Sequence, residues 1–470
     1  MSKKSILTLI FTLILSFSLQ GAVIAEKDSD NKKTSSKTEK VEEKKEKDEN
    51  AFPDLNTDYY LLAELDSGKV LKVKNGDKKV FPASTTKILT AIIALESCDM
   101  SEVVTATTEA ISPITRQHSN MGLLVDEQLT VEQLLYGLLV HSANDAANVL
   151  GVHISGSLEE FAKLMNERAE ELGAENTHFT NAHGFHDDDH YTTVNDLARI
   201  TTYAMKNETF REIVATAKYT VPPTNKYRDS KNGNMRYLTN TNKMISANTG
   251  ATHIYKYAIG VKTGSTDEAG NCLVAAAEKN GTRLLSIVMK CENENATDKA
   301  YSFVDSRALL EYGFKNYTYR TIGSTSDVVE ASKVREAKDN VRVSLSPAED
   351  IKVILSKDVD LNSIEVISEK KEDIIAPVKK GDVLGSVQYK LDGEVLGETD
   401  LVATNDVEQD MLLHIIYLVW GSLWIIVLVG VVILVLTLYI KAVKRKRRRA
   451  RRRKLRTDNS EPTMQRRRRK

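Results

Sequence analysis

Ser84 and Lys87 stand three residues apart in Phe81-Pro82-Ala83-Ser84-Thr85-Thr86-Lys87, directly ahead of the apolar run Ile88 to Leu95. On a helix that starts near Ser84, both side chains lie on one face and meet. A serine hydroxyl becomes a competent nucleophile when a base takes its proton, and a lysine kept neutral by burial is such a base. Pro82 suits the position just before a helix start, where its missing N–H costs nothing. Two other triplets carry compatible chemistry. Ser142-Ala143-Asn144 offers a second hydroxyl and an amide, and Lys262-Thr263-Gly264 offers a cation, a hydroxyl and a backbone without a side chain. Each triplet alone reads equally well as a turn, an N-cap or a strand end. Their order, spacing and contexts (helix start, interhelical loop, strand) are jointly specific where each alone is weak.

Those residues need a scaffold to bring them together. Tyr59 to Leu65 and Lys69 to Val73 read as strands joined at Asp66-Ser67-Gly68. Thr130-Val131-Glu132-Gln133 is a capping box that opens a helix through Leu134, Leu135, Leu138 and Leu139. A further helix continues from Asp145, and Leu158 to Leu172 and Val194 to Met205 are two more. Asn176 to His190 lacks periodicity and reads as a long loop. Ala258 to Gly264 has the alternation and glycines of a strand approached closely by another segment. Asn271 to Ala277 and Thr282 to Cys291 form a hairpin turning at Asn280-Gly281, and Tyr301 to Tyr312 is a closing helix. The expected fold is an α/β domain over residues 51–318, an antiparallel sheet with helices. Short alternating stretches from Val341 to Val402 predict a small all-β domain over residues 325–403.

Both ends are specialised. Residues 1–25 carry Lys3 and Lys4, an apolar run from Ile6 to Phe17, and Ala22-Val23-Ile24-Ala25, the pattern of a secretory signal peptide. Residues 26–50 are nearly all charged or hydroxylic and read as a disordered linker. Met411 to Ile440 is thirty residues without Asp, Glu, Lys or Arg, more than the roughly 20 that cross a bilayer. Trp420, Trp424 and Tyr439 are aromatic, with the tryptophans too deep for a clean interfacial belt. Lys441 to Lys470 holds 17 Lys/Arg against Asp458 and Glu461, a net of +15, so the formal total of +0 leaves −15 on residues 1–440. The basic tail predicts a cytoplasmic C-terminus and a single pass through the membrane, with the bulk of the chain outside. An acidic exterior argues against a nucleic-acid partner, and the tail reads as a stop-transfer and anionic-lipid clamp. Cys98, Cys272 and Cys291 are too few and odd in number for a disulfide framework, and are expected to be free. His183, His186, Asp187, Asp188, Asp189 and His190 have ligand chemistry, but no helix places them on one face. No metal and no other cofactor is expected.

With these motifs in order, the chain resembles the low-molecular-mass penicillin-binding proteins of the D-alanyl-D-alanine carboxypeptidase type, bacterial cell-wall enzymes. The resemblance covers residues 52–403. It includes Asn181-Ala182-His183-Gly184, Asn240-Thr241-Asn242-Lys243, Gly260 to Thr266, Ala269-Gly270-Asn271-Cys272 and, in the second domain, Gly381 to Gly385. It implies the penicillin-binding/β-lactamase-like transpeptidase fold and a peptidoglycan stem peptide ending in D-Ala-D-Ala as substrate. By that resemblance Ser84 attacks the carbonyl between the two D-alanines and Lys87 is the general base. Ser142 relays a proton to the leaving amine, and Asn144 bonds the substrate amide or Lys87. Lys262 and Thr263 hold the terminal carboxylate, Gly264 lets the strand come close, and the N–H groups of Ser84 and Ser265 form the oxyanion hole. β-Lactams are implied as acylating inhibitors. Endopeptidase or transpeptidase action and a catalytically silent wall-binding scaffold are the competing readings. A β-lactamase is disfavoured because Asn181 to His190 contains no glutamate and Ala143 occupies the middle of the second motif. The apolar C-terminal span departs from the family's commoner amphipathic surface helix.

Overall fold

The computed structural model describes residues 51–115, 119–247, 253–292 and 300–458. The expected signal peptide, the linker at 26–50 and the last part of the basic tail lie outside them. Strands β1 (Tyr59–Glu64) and β2 (Val70–Lys74) come first, and helix α1 (Lys87–Ser97) follows a 3₁₀ turn at Ala83–Thr86. The short pair β3 (Val103–Thr105) and β4 (Gln128–Thr130) brackets α2 (Thr108–Ile111). A helical layer is then built from α3 (Val131–Leu139), α4 (Asn144–Ser155), α5 (Leu158–Glu171), α6 (Val194–Ala204) and α7 (Glu208–Ala215). A small hairpin, β5 (Lys218–Val221) and β6 (Arg236–Thr239), precedes the long strands β7 (Ala258–Thr266), β8 (Gly270–Lys279) and β9 (Thr282–Cys291). Helix α8 (Tyr301–Asn316) closes the domain.

The main sheet is antiparallel in the order β2-β1-β9-β8-β7, so the first strands are zipped onto the last. β8 and β9 are apolar nearly throughout because the sheet is covered on both faces. Val274, Ala276, Leu285 and Ile287 join the core under the helical layer, whereas Leu273, Ala275, Leu284 and Val288 pack beneath α8. This alternation is the period-two geometry of a strand with two buried faces. Gly313 lets α8 lie close, since a Cβ there would stand 2.5 Å from Leu284 Cδ1.

The second domain is all-β, as expected. A five-stranded sheet runs β11 (Glu330–Lys333), β12 (Arg342–Pro347), β16 (Glu394–Ala403), β15 (Val383–Leu391), β14 (Glu365–Lys370), beside the pair β10 (Tyr317–Gly323) and β13 (Ile351–Ser356). Val343, Leu345, Val387, Tyr389 and Leu401 fill its core. Asp410 then caps helix α9 (Met411–Asp458), its carboxylate accepting the N–H groups of Leu412 at 2.8 Å and Leu413 at 3.1 Å. α9 is long and apolar enough to cross a membrane, with a mean hydropathy of 3.0 in its most apolar window and none of that window buried against protein.

Candidate active site

The turn that carries Ser84 is built from its own neighbours. Ala83 enters it at φ 48°, a left-handed conformation that L-residues avoid. Thr85 Oγ1 donates to the Pro82 carbonyl at 2.7 Å and Thr86 Oγ1 to the Ala83 carbonyl at 2.8 Å, so the hydroxyls satisfy groups the turn leaves open. One turn on, Lys87 is completely buried. Its Nζ lies 2.8 Å from Ser84 Oγ and 2.7 Å from the carbonyl oxygen of His183. Burial, and then the charge of Lys262, hold the Lys87 amine well below its ordinary pKa, with the Asp145 carboxylate opposing them.

The long loop before α6 supplies that carbonyl. Asn181 Oδ1 accepts the backbone N–H groups of His183, Gly184 and Phe185 at 3.2, 2.8 and 3.1 Å, which fixes the direction of the His183 C=O. Gly184 sits at φ 86°, and a Cβ there would fall 1.8 Å from the Ala83 oxygen, so the loop can press on the serine turn only with glycine. His190 Nδ1 accepts the Thr180 N–H at 3.0 Å, which leaves Nε2–H to donate to Thr86 Oγ1 at 2.9 Å. Burial lowers the His190 pKa to about 4 and keeps the ring neutral. The histidine-rich loop thus braces the serine turn. Its His and Asp groups form no ligand set among the described residues.

The second motif lies between α3 and α4, with Ser142 at φ 63°. Lys262, on β7, is also buried and donates to Ser142 Oγ at 2.9 Å and to the Thr263 carbonyl at 3.0 Å. Burial alone brings its amine down to about 7. Thr263 Oγ1 pairs with Thr241 Oγ1 at 2.6 Å, and Thr241 N–H is anchored on the Val140 carbonyl at 3.0 Å. A Cβ at Gly264 would lie 2.9 Å from the Pro82 oxygen and 3.1 Å from Ser84 N, so β7 touches the serine turn at this residue. Ser265 follows on the exposed side of β7. Asn144 opens α4, and its Oδ1 is buried without a hydrogen-bond partner among the described residues. A buried acceptor left open in a cleft is ready for a ligand N–H.

Two supports escaped the sequence. Asp145 is buried, and its carboxylate accepts the N–H groups of Met121 at 3.0 Å and Leu123 at 2.9 Å, tying the second motif to the preceding loop. Glu127 and Arg236 form a buried two-pronged pair, both bonds 2.7 Å, which fastens β6 to that loop. A carboxylate directly after the second motif was the only sequence signal for Asp145. Ser84, Lys87, Ser142, Lys262 and Gly264 are therefore joined by direct contacts where the serine turn, the α3–α4 loop and the edge strand β7 form one cleft, and Asn144, Thr263 and Ser265 sit on the same segments. The cleft offers a hydroxyl beside a neutralised amine, a second buried amine, and an open amide oxygen, which is equipment for acyl transfer to a substrate with a carboxylate end.

Comparison with known proteins agrees. The family model for D-alanyl-D-alanine carboxypeptidases, peptidase S11, matches residues 44–293, and that for the C-terminal domain of penicillin-binding protein 5 matches 317–409. The D-alanyl-D-alanine carboxypeptidase DacF of Bacillus subtilis is 32% identical over 354 residues, 74% of this chain and 85% of the relative. DacA of Haemophilus influenzae is 29% identical over 382 residues, 79% of this chain and 88% of its own. The crystal structure of penicillin-binding protein 5 from Haemophilus influenzae superposes with a TM-score of 0.59 at 28% identity, covering 76% of this chain and 99% of the other. Motifs, fold and relatives converge: the chain belongs to the serine-type D-alanyl-D-alanine carboxypeptidases, the low-molecular-mass penicillin-binding proteins.

Proposed function

We propose that this protein removes the terminal D-alanine from peptidoglycan stem peptides through an acyl-enzyme on Ser84. The observation that carries the reading is the fully buried Lys87 amine 2.8 Å from Ser84 Oγ. Neutral Lys87 takes the Ser84 proton as Oγ bonds to the penultimate D-alanine carbonyl carbon. The N–H groups of Ser84 and Ser265 receive the oxyanion. Lys262, in its charged form, and Thr263 hold the terminal carboxylate, and Asn144 Oδ1 accepts a substrate amide N–H. The peptide C–N bond breaks as the proton passes by way of Ser142 to the leaving amine. Water, deprotonated by Lys87 in its turn, then attacks the ester and restores Ser84. A β-lactam offers the same carbonyl and carboxylate, and is expected to acylate Ser84 likewise.

α9 supports a single-span anchor with the catalytic domain outside and the basic tail in the cytoplasm. Thirty residues of helix measure about 45 Å, against a hydrocarbon core of about 30 Å. The excess fits at the outer end, where His414 Nδ1 meets Glu336 Oε2 at 2.6 Å and the Arg335 guanidinium lies 5.0 Å from the Tyr417 ring centre. Those polar contacts keep the first turns out of the hydrocarbon. On this reading Tyr417, Trp420 and Trp424, on one helix face, lie toward the outer interface.

The test is fluorescent penicillin labelling and D-alanine release from diacetyl-L-Lys-D-Ala-D-Ala, with Ser84→Ala alongside. Both signals are expected and both vanish in the variant. Label without release would redirect the reading to another acceptor, and no label would sink the active serine.

A further inference from the structure

On the side of the helical layer away from the cleft, three side chains from three elements converge. Cys98 is the C-terminal cap of α1, Glu102 leads into β3, and His153 lies in the last turn of α4. Cys98 Sγ, a Glu102 carboxylate oxygen and a His153 ring nitrogen all lie within 4.8 Å of one another. We propose that Cys98, Glu102 and His153 form a zinc site that staples the far ends of α1 and α4.

The donor set is the first argument. Thiolate, imidazole and carboxylate together suit Zn²⁺, with water completing a four-coordinate shell. Bond lengths of about 2.0–2.3 Å place tetrahedral donors about 3.3–3.8 Å apart, so closing the site takes shifts of roughly 1 Å. Glu102 and His153 are solvent-exposed and can make that adjustment, and Cys98 is half-buried. His153 Nε2 meets Glu102 Oε1 at 2.9 Å, a contact that coordination would exchange for a bond from each to the metal.

Electrostatics is the second. α1 and α4 pack against each other and both end here, and helix C-termini carry partial negative charge that favours a cation. Glu102 adds its charge, and Asp99 stands beside it. On binding Zn²⁺ the thiol proton leaves to solvent, Sγ and the carboxylate become ligands, and His153 keeps its proton on Nδ1 while Nε2 coordinates. Cys272 and Cys291 lie in the sheet core and offer Cys98 no disulfide partner.

The placement gives the site a purpose. α1 begins at Lys87 and α4 begins at Asn144, so the helices clamped here at one end carry catalytic-cleft residues at the other. A metal at their C-termini would fix their relative position without touching substrate.

The test uses the full-length chain in detergent, loaded with Zn²⁺ and dialysed, then analysed for bound metal and thermal midpoint. Co²⁺ loading adds a spectroscopic reading, because a thiolate ligand produces a near-ultraviolet charge-transfer band. About one zinc per chain and the band are expected. Cys98→Ser should abolish the band, and both Cys98→Ser and His153→Gln should weaken zinc at least about tenfold, the lower bound even for second-shell losses. Both should acylate with penicillin within about twofold of the parent rate. No retained metal, or zinc retained equally by both variants, would overturn the proposal, the latter by moving the metal to another site such as the 183–190 loop. His153→Gln changes an exposed side chain and gives the same reading should Cys98→Ser fold poorly.

Discussion

Lys262 Nζ donates to Ser142 Oγ at 2.9 Å, so the cation of the third motif is held by the hydroxyl of the second. The bond joins the edge strand to the α3–α4 loop and sets two buried amines, Lys262 and Lys87, into one cleft with opposite tasks. In the proposed mechanism Lys87 works neutral and Lys262 works charged. After burial, the charge of Lys262 is one reason Lys87 is held so low.

That division predicts the pH profile. In the free enzyme kcat/KM rises as pH passes upward through the lowered Lys87 pKa and falls above about 7, where Lys262 loses its proton. A bound carboxylate favours charged Lys262, so the falling limb of kcat stands at higher pH. A peptide ending in D-alaninamide has no carboxylate to read Lys262, and its basic limb should disappear. Equal basic limbs for acid and amide substrates would take Lys262 out of carboxylate binding.

Asp145 gives a separable prediction. Its carboxylate anchors Met121 and Leu123 and raises the Lys87 pKa against the larger lowering effects. Asp145→Asn keeps the shape and one acceptor but removes the charge. Lys87 then stays neutral to lower pH, so the acid limb of penicillin acylation moves down, while urea denaturation reports a loss of about 1–3 kcal/mol from the weakened anchor. A limb that moves up would contradict the sign.

How much of this was legible depended on whether the signal was local. The helix at Lys87, the capping box at Thr130, and the Asn280-Gly281 turn, with φ 53° and 77°, announce themselves in adjacent residues. The site motifs were legible because each is contiguous, the first two at helix starts and the third within a long strand. β3–β4 and β5–β6 were not, because strands of three or four residues carry no period to read. α7 was hidden in the same way by its eight residues. Asp145 looks in sequence like an ordinary acid at a helix start, and only the fold buries it. Ser142 at φ 63° is equally invisible, since serine is not a residue that advertises a left-handed turn. The expectation of free cysteines rested on their number; in the fold Cys272 and Cys291 lie on the paired strands β8 and β9, whose register shifts between Asn271 and Leu273, and both are free thiols.

Gly184 is where loop and serine turn meet most closely, and alanine there should be costly twice over. Its φ of 86° disfavours a side chain, and the added Cβ would meet the Ala83 carbonyl. The turn must give way, taking Ser84 from Lys87. We expect Gly184→Ala to lose about 2–4 kcal/mol in denaturant and about 100-fold or more in penicillin acylation, since a displacement near 1 Å at the nucleophile suffices for that. Unchanged acylation would show that the loop does not set the position of Ser84.

The junction with α9 makes the last prediction. Glu336 Oε2 meets His414 Nδ1 at 2.6 Å and accepts Gln409 Nε2–H at 3.1 Å, and Asp410 N–H donates to the Glu336 carbonyl at 2.7 Å. The β domain is therefore coupled to the helix by several bonds around one residue. The contact with His414 comes first among the causes that hold the Glu336 carboxyl below the usual range. The joint is thus present above the ordinary carboxylate pKa and is lost as pH falls through the lowered one. Energy transfer from a fluorescent penicillin on Ser84 to acceptor lipids in a nanodisc measures the height of the cleft above the bilayer. At neutral pH the distance distribution should be narrow, and Glu336→Ala or acid should broaden it while the penicillin acylation rate of the variant at neutral pH stays within about twofold. A distribution equally broad in parent and variant would mean that the catalytic domain swings freely on its anchor and that these bonds do not hold it.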